Sequence, residues 1–555
     1  MPTRSPEETP GPPPGSHHTG FSIQVPEFFN FGYDVVDAWA AKEPDKTALL
    51  LVNQQGEERQ YSFQDIKIAS DAAARLLHDS GIVPGDRVFV MLPRIPPWWI
   101  LVVALIKCGA VYTPATTLLT PHDISYRLSV GGFKMIITDR ENAPKVNEAV
   151  REQSLRPKCM VVDGEMPGWI RYSEKSSVTR RWIGGTIPAV KTRSTDPLLI
   201  FFTSGTTGNP KMVLHDHSYP LGHIVTARLW QDVKASDLHF TISDTGWAKS
   251  AWGNLFGQWI EGAAVFVYDI RGKFDPAEIP PLLERYAITT FCCPPTIYRK
   301  LILLDLERYN LSRLRHCVSA GEPLNPEVIR IWKEKTGLLI YEGYGQTETV
   351  LCIGAFPGRE CPPGSMGKPA PGWHIELHDR NGKPVGIHRE GRIAVSLDPR
   401  PVGLFREYIE NEAANRRSFV RGWYYTDDKA ALDEDGYFWF IGRDDDVIKA
   451  SGYRIGPFEV ESALLEHPSV AEAAVVGSPD PIRGTIVKAF VVLKPGHVPS
   501  DQLVADLQEH VKAVTAPYKY PRAVEFVDSL PKTHSGKIRR NELREREARI
   551  HSDPV

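Results

Sequence analysis

The sequence predicts an α/β protein: a large N-terminal domain of layered α/β subdomains with a small β-rich subdomain, followed by a smaller α+β domain. Three observations lead there. From about residue 45, short β-rich apolar runs alternate with longer helical segments, the pattern of buried strands covered by helices. Between about 365 and 442 the texture changes to short strands broken by Gly, Pro and Asp. After Arg443-Asp444-Asp445-Asp446 a compact tail of roughly 110 residues begins, an ordinary size for a domain.

In chain order, residues 1–20 are Pro-rich and are expected to be a disordered tail; they lack the apolar core of a secretory signal and the acid-poor pattern of a mitochondrial presequence. Residues 21–443 are then expected to form the N-terminal domain and 444–555 the C-terminal one. Ser62 is placed to cap a helix with Asp65 at its third position; Ile66, Ala69, Ala73, Leu76 and Leu77 line one face and Gly81 lies past its end. Buried strands are expected at Val88–Leu92, Met135–Thr138, Leu198–Thr203, Ala263–Tyr268, Ile288–Cys293 and Arg315–Ala320. The most apolar stretch, Trp98 to Ile106, is ended by Lys107 and is too short to cross a bilayer. In the tail, a helix follows Pro457, strands run near Ala471–Gly477 and Ile486–Leu493, and a Ser500-capped helix presents Leu503, Leu507, Val511 and Val514.

Composition excludes several classes. Lys plus Arg total 65 against 68 Asp plus Glu, so no global field steers the protein towards nucleic acid or an acidic membrane. The seven cysteines are scattered without a CxxC pair, which argues against a zinc site or a disulfide framework. The last residues, His551 to Val555, are not a peroxisomal address of the Ser-Lys-Leu type. The default location is cytoplasmic, with the mitochondrial matrix as the alternative, and the expected assembly is a monomer or weak homo-oligomer.

The strongest chemical signal is Thr203-Ser204-Gly205-Thr206-Thr207-Gly208-Asn209-Pro210-Lys211, directly after an apolar strand. Hydroxyls that donate, glycines that let backbone amides approach, and a lysine are what a phosphate-holding loop needs. It is not a Walker loop, because Pro210 precedes Lys211 and Met212 follows it.

The loop resembles that of the acyl-adenylate-forming superfamily, and further motifs follow in that family's order. Ser319-Ala320-Gly321-Glu322-Pro323 is similar to its adenine-pocket segment. In Glu342-Gly343-Tyr344-Gly345-Gln346-Thr347-Glu348, the resemblance implies that Tyr344 stacks on adenine, Thr347 bonds the α-phosphate and Glu348 holds magnesium. Thr426-Asp427-Asp428 matches a Thr-Gly-Asp motif with Asp427 in place of glycine, and Asp428 would accept from the ribose hydroxyls. Gly442-Arg443-Asp444-Asp445 resembles the hinge, with Arg443 near ribose and phosphate and Asp445 as the pivot of a mobile C-terminal domain. Ser451-Gly452-Tyr453-Arg454 resembles the segment that closes on the pantetheine arm of coenzyme A. Pro531 to Lys537 resembles the motif whose lysine, Lys537, reaches the carboxylate and α-phosphate.

Within the family the sequence looks most like the medium-chain acyl-CoA synthetases, where Arg483 and Tyr520-Pro521-Arg522 would meet coenzyme A phosphates. The resemblance also implies that the small subdomain is β-barrel-like. Trp247 is similar to the aromatic that gates the acid, with Trp252 and Gly253 behind it. Gly345 stands where short-acid members carry a tryptophan, which implies room for several carbons or an aromatic ring, and Ala248 stands where amino-acid-activating relatives tend to carry Asp. The implied activity is acyl-CoA synthesis from a medium-chain or aromatic acid with ATP, Mg2+ and coenzyme A, with Lys537, Lys211, Thr347 and Glu348 as catalytic residues. A stand-alone adenylating enzyme that loads a carrier protein in trans and a catalytically silent nucleotide-binding relative are the other readings.

Overall fold

The computed structural model describes residues 21–151, 153, 156–173, 189–203, 210–272, 274–443, 446–450, 453–480, 484–515, 517–533 and 537–550. Two large sheets dominate. One has nine strands and contains the parallel run Ile340–Tyr344, His316–Ala320, Thr290–Cys292, Leu238–Thr241, Ala264–Asp269 and Thr47–Asn53, in that spatial order. Its strands are nearly continuous apolar runs, as sheets covered on both faces require. The other has eight strands, in the order Glu407–Tyr408, Met212–Asp216, Pro197–Phe202, Val111–Pro114, Arg87–Met91, Met135–Asp139, Lys158–Val162 and Ile170–Tyr172.

The apolar stretch before Lys107 is the helix Pro96–Lys107, and every residue of it is buried. Lys107 itself is enclosed, and its Nζ meets Asp37 Oδ1 at 2.7 Å and Asp71 Oδ1 at 2.5 Å, as a buried ammonium must be paired. The helix Phe63–Asp79 begins with a capping box in which Ser62 and Asp65 exchange hydrogen bonds, a feature that contributes about 0.5–2 kcal/mol. No helix among the described residues is long and apolar enough to cross a membrane.

The β-rich subdomain is a five-stranded antiparallel sheet of Ile375–His378, Gly391–Ser396, Phe419–Val420, Trp423–Leu432 and Phe438–Arg443, with bulges along its long strand. Beyond it, the strands Val470–Asp480, Gly484–Leu493 and Ala523–Phe526 form a three-stranded sheet against which the helices Pro457–Glu466 and Arg540–Ile550 pack, while Asp501–Val514 lies against Pro457–Glu466. Val514 departs from expectation. It is 45% exposed in the last turn of its helix, where only Leu507 and Val511 are buried and Leu503 packs at the edge of the core. That helix packs chiefly against the ten-residue helix Pro457–Glu466, which is too short to cover all fourteen of its residues.

Candidate active site

The parallel strands of the nine-stranded sheet end on one side, and the chemistry-bearing segments leave from those ends. Ala320 and Gly343 are register partners on adjacent parallel strands, so Gly321-Glu322-Pro323 and Tyr344 to Glu348 begin next to each other. Two strands further along, Thr241 ends the strand that leads to Trp247. The crevice outside the carboxyl ends of a parallel sheet is where open α/β folds bind ligands. Gly321 has φ +105, a conformation that glycine adopts without strain, and a Cβ there would lie 3.0 Å from Lys249 Nζ.

The eight-stranded sheet contributes the phosphate-loop candidate. Pro197–Phe202 and Met212–Asp216 pair antiparallel, and the Thr203 N–H donates to Lys211 C=O at 3.0 Å, so residues 203–211 connect the two arms of a hairpin. Ser204, Gly205, Thr206, Thr207 and Gly208 lie outside the described residues. His215 ties the hairpin to the crevice. Burial pushes its pKa down to about 3, so the neutral ring donates from Nε2 to Thr347 C=O at 2.8 Å. Glu407–Tyr408 adds a short strand beside Met212–Asp216, which brings the Tyr408 ring to 4.8 Å from Lys211 Nζ. The Tyr408 hydroxyl donates to Glu348 Oε1 at 2.8 Å. Burial raises the pKa of Glu348, while that hydrogen bond and the Lys211 charge oppose the rise.

The third wall comes from the β-rich subdomain. Asp428 is buried, and its Oδ2 accepts from the Tyr344 hydroxyl at 2.7 Å and from Gln346 Nε2 at 2.6 Å. Gln346 also donates to Thr426 C=O at 2.8 Å and accepts from the Tyr424 hydroxyl at 3.0 Å, so its amide is fixed on both sides. Arg443 pairs with Asp428 across adjacent strands, its Nε 4.0 Å from Oδ1. Burial raises the Asp428 pKa despite the neighbouring Arg443. Asp427, where the family motif has glycine, takes φ +63, a left-handed conformation uncommon for a residue with Cβ. Glu342 is enclosed at the strand end: its Oε1 accepts from the Leu324 N–H at 3.1 Å, Oε2 has no hydrogen-bond partner among the described residues, and burial pushes its pKa up to about 8.

Lys537 sits on the C-terminal domain and is solvent-exposed, yet its charge is felt at both Asp428 and Lys249. Its N–H donates to Thr533 Oγ1 at 3.1 Å, and the Thr533 N–H returns a bond to Lys537 C=O at 2.7 Å. Asp445, Ser451, Gly452 and Arg483 lie outside the described residues. Tyr453 and Arg454 have their backbone in the strand Tyr453–Ile455, and their side chains are outside that set. Arg522 donates to the Tyr520 hydroxyl at 2.7 Å and stacks over its ring, beside the buried Pro521.

The expected open space beside Gly345 is partly filled. A Cβ on Gly345 would lie 2.5 Å from Trp252 Cη2 and 2.5 Å from Val350 C=O, so the absent side chain lets the Trp252 indole close onto the backbone. Gly253 likewise serves packing, because a Cβ there would overlap Thr241. Trp247 is half-buried and immediately precedes the helix Ala248–Gly253. Tyr408 and Lys249 escaped the sequence reading. The signal for Lys249 was present: it is the one charge in the apolar run Gly246 to Phe256.

The family model for AMP-binding enzymes matches residues 36–409, and that for the C-terminal domain of AMP-binding enzymes matches residues 459–537. The chain belongs to the AMP-binding enzyme family. Among its relatives is "Acyl-coenzyme A synthetase ACSM3, mitochondrial" of Mus musculus, 48% identical over 538 residues, covering 95% of this chain and 92% of the relative. The fold of this AMP-binding enzyme matches the anthranilate CoA ligase AuaEII in complex with anthranoyl-AMP, with a TM-score of 0.87, 30% identity and coverage of 95% and 99% of the two chains. A benzoate CoA ligase from Burkholderia xenovorans LB400 matches with a TM-score of 0.81, 26% identity and coverage of 93% and 100%.

Proposed function

We propose that this AMP-binding enzyme is an acyl-CoA synthetase that activates a medium-chain or aromatic carboxylic acid. The acid's carboxylate oxygen attacks the α-phosphorus of ATP, and pyrophosphate leaves with the electrons of the broken P–O bond. The coenzyme A thiolate then attacks the acyl carbon of acyl-AMP and AMP leaves, so neither half reaction needs a protein nucleophile.

The observation that carries this reading is the convergence of Lys211, Glu348, Asp428 and Lys537 on one crevice from different elements. Asp428 offers Oδ1 to the ribose diol while Tyr344 and Gln346 occupy Oδ2. Glu348 suits magnesium, which is commonly held by one or two carboxylates together with phosphate oxygens and water; the ion would supply charge neutralisation at the phosphates. Tyr408 orients that carboxylate. Lys211 and Lys537 offset the negative charge that develops as pyrophosphate departs. Residues 21–443 carry the nucleotide site and 444–555 bring Lys537 to it; rotation about Asp445 would withdraw Lys537 and present Gly452 to coenzyme A.

The relatives support the thiol acceptor, since their names include acyl-coenzyme A synthetase and CoA ligases for anthranilate and benzoate. They also favour the mitochondrial matrix over the cytoplasm, which organelle fractionation tests. The activity is tested with acids from acetate to dodecanoate, plus benzoate and phenylacetate, assayed for pyrophosphate with and without coenzyme A. Six- to ten-carbon or aromatic acids should turn over and acetate poorly. Turnover restored only by a carrier protein, or no pyrophosphate with any acid, overturns the reading.

A further inference from the structure

Lys249 is a half-buried ammonium in the first turn after Trp247, on the helix Ala248–Gly253. Its Nζ donates to Ala320 C=O, at the end of the strand that leads into Gly321. An ammonium has three donors, and among the described residues this carbonyl is its one hydrogen-bond partner and no carboxylate lies within ion-pair distance. The nearby acid Glu322 is paired with Arg299 at 3.4 Å. A partly desolvated cation without a counter-ion is costly, and an anion that binds beside it offsets that cost.

The groups around Lys249 indicate where that anion sits. Gly321 packs against Nζ on one side, and the charges of Lys537 and Glu322 and the thiols of Cys292 and Cys293 also reach it. Burial and the like charge of Lys537 push the Lys249 ammonium below its ordinary range. The Lys537 charge, from the other domain, thus disfavours the Lys249 ammonium, and an anion beside Lys249 offsets that cost.

Resting on the acyl-CoA synthetase reading, we infer that Lys249 holds the reacting carboxylate of the acid against Lys537 before it attacks ATP. Lys249 is thus a substrate-binding residue for the first half reaction alone. In acyl-AMP the carboxylate charge is gone, and the second half reaction does not need it.

The test compares wild type, Lys249→Met and Lys249→Arg in full-length protein. Lys249→Met should raise KM for the acid about 10- to 100-fold, the size of one charge-assisted hydrogen bond, with KM for ATP changed less than threefold. Conversion of supplied acyl-AMP to the thioester should be kept, and Lys249→Arg should restore most of the acid affinity. Binding is read independently of turnover by competition between an acid and its primary alcohol: wild type should prefer the carboxylate and Lys249→Met should lose that preference. An unchanged acid KM, a retained carboxylate preference, or equal loss of both half reactions in a folded variant overturns the inference. Discrimination lost only for acids with a second polar group at the far end also overturns it, and assigns Lys249 to chain selection. Wild type that releases no pyrophosphate with any acid overturns the underlying reading instead.

Discussion

Asp428→Asn separates a nucleotide-binding role from a structural one. Volume is conserved, so packing is undisturbed and the effect is confined to hydrogen bonding and charge. Oδ2 already accepts from Tyr344 and Gln346, two donors that the amide oxygen must satisfy in the variant. The amide NH2 is thereby directed to the Oδ1 side, towards Arg443 and the expected ribose diol. Acceptance by a carboxylate is replaced there by a neutral donor. Losing hydrogen bonds to a charged group costs about 1.5–3 kcal/mol, so the dissociation constant for ATP should rise roughly 10- to 100-fold. Stability should hold or improve slightly, because burial raises the Asp428 pKa and the ionised form is costly in the fold. Calorimetric titration with ATP and thermal melts without nucleotide measure the two quantities. ATP affinity within twofold of wild type together with a lowered Tm would show that Asp428 holds the Tyr344–Gln346 cluster together and does not receive the ribose.

Lys537→Ala should abolish acid-dependent pyrophosphate release and still convert supplied acyl-AMP; equal loss of both steps would refute the division of labour. Tyr408→Phe removes the donor to Glu348 and should raise the magnesium concentration for half-maximal activity about 3- to 10-fold, read by magnesium titration. Glu342 has a folded-state pKa of about 8 against an ordinary 4.5, so the fold retains a proton that the unfolded chain releases. Wild type should therefore lose stability relative to Glu342→Gln as pH rises from about 4.5 through about 8, measured by denaturant unfolding at several pH values; parallel profiles would contradict the burial argument. At Asp427, φ +63 predicts that Asp427→Gly stays within about 0.5 kcal/mol, since relief of strain and added chain entropy offset, whereas Asp427→Val costs about 1–2 kcal/mol in the same assay.

Much of this site was legible because its chemistry sits in short contiguous motifs. The loop before Lys211 is flagged by its own residue types, and the segments at Ala320, Tyr344 and Asp428 by short motifs that resemble the family's. The substitution of Asp427 for the motif's glycine marked the local backbone as unusual, and the structure gives its conformation, φ +63. What could not be read was the pairing between distant segments. Nothing near Glu348 in sequence announces Tyr408, which arrives on a two-residue strand too short to show periodicity. The Gln346 clamp depends on Tyr424 and Thr426, which come from the β-rich subdomain 78 and 80 residues on. Gly345 shows the limit of arguing from a missing side chain: a vacancy is filled by whichever neighbour can reach it, here Trp252.

The two-residue strand has a consequence for how the molecule is made. Met212–Asp216 pairs with Pro197–Phe202 on one side, and its other side is covered only when Glu407–Tyr408 arrives; Arg406 then meets Asp216 across a sequence separation of 190 residues. During synthesis that flank waits unpaired while much of the chain emerges, a bare edge of the kind that recruits other strands. Fragments that stop before residue 406 should aggregate, and the nucleotide site is among the last parts of the large domain to be finished.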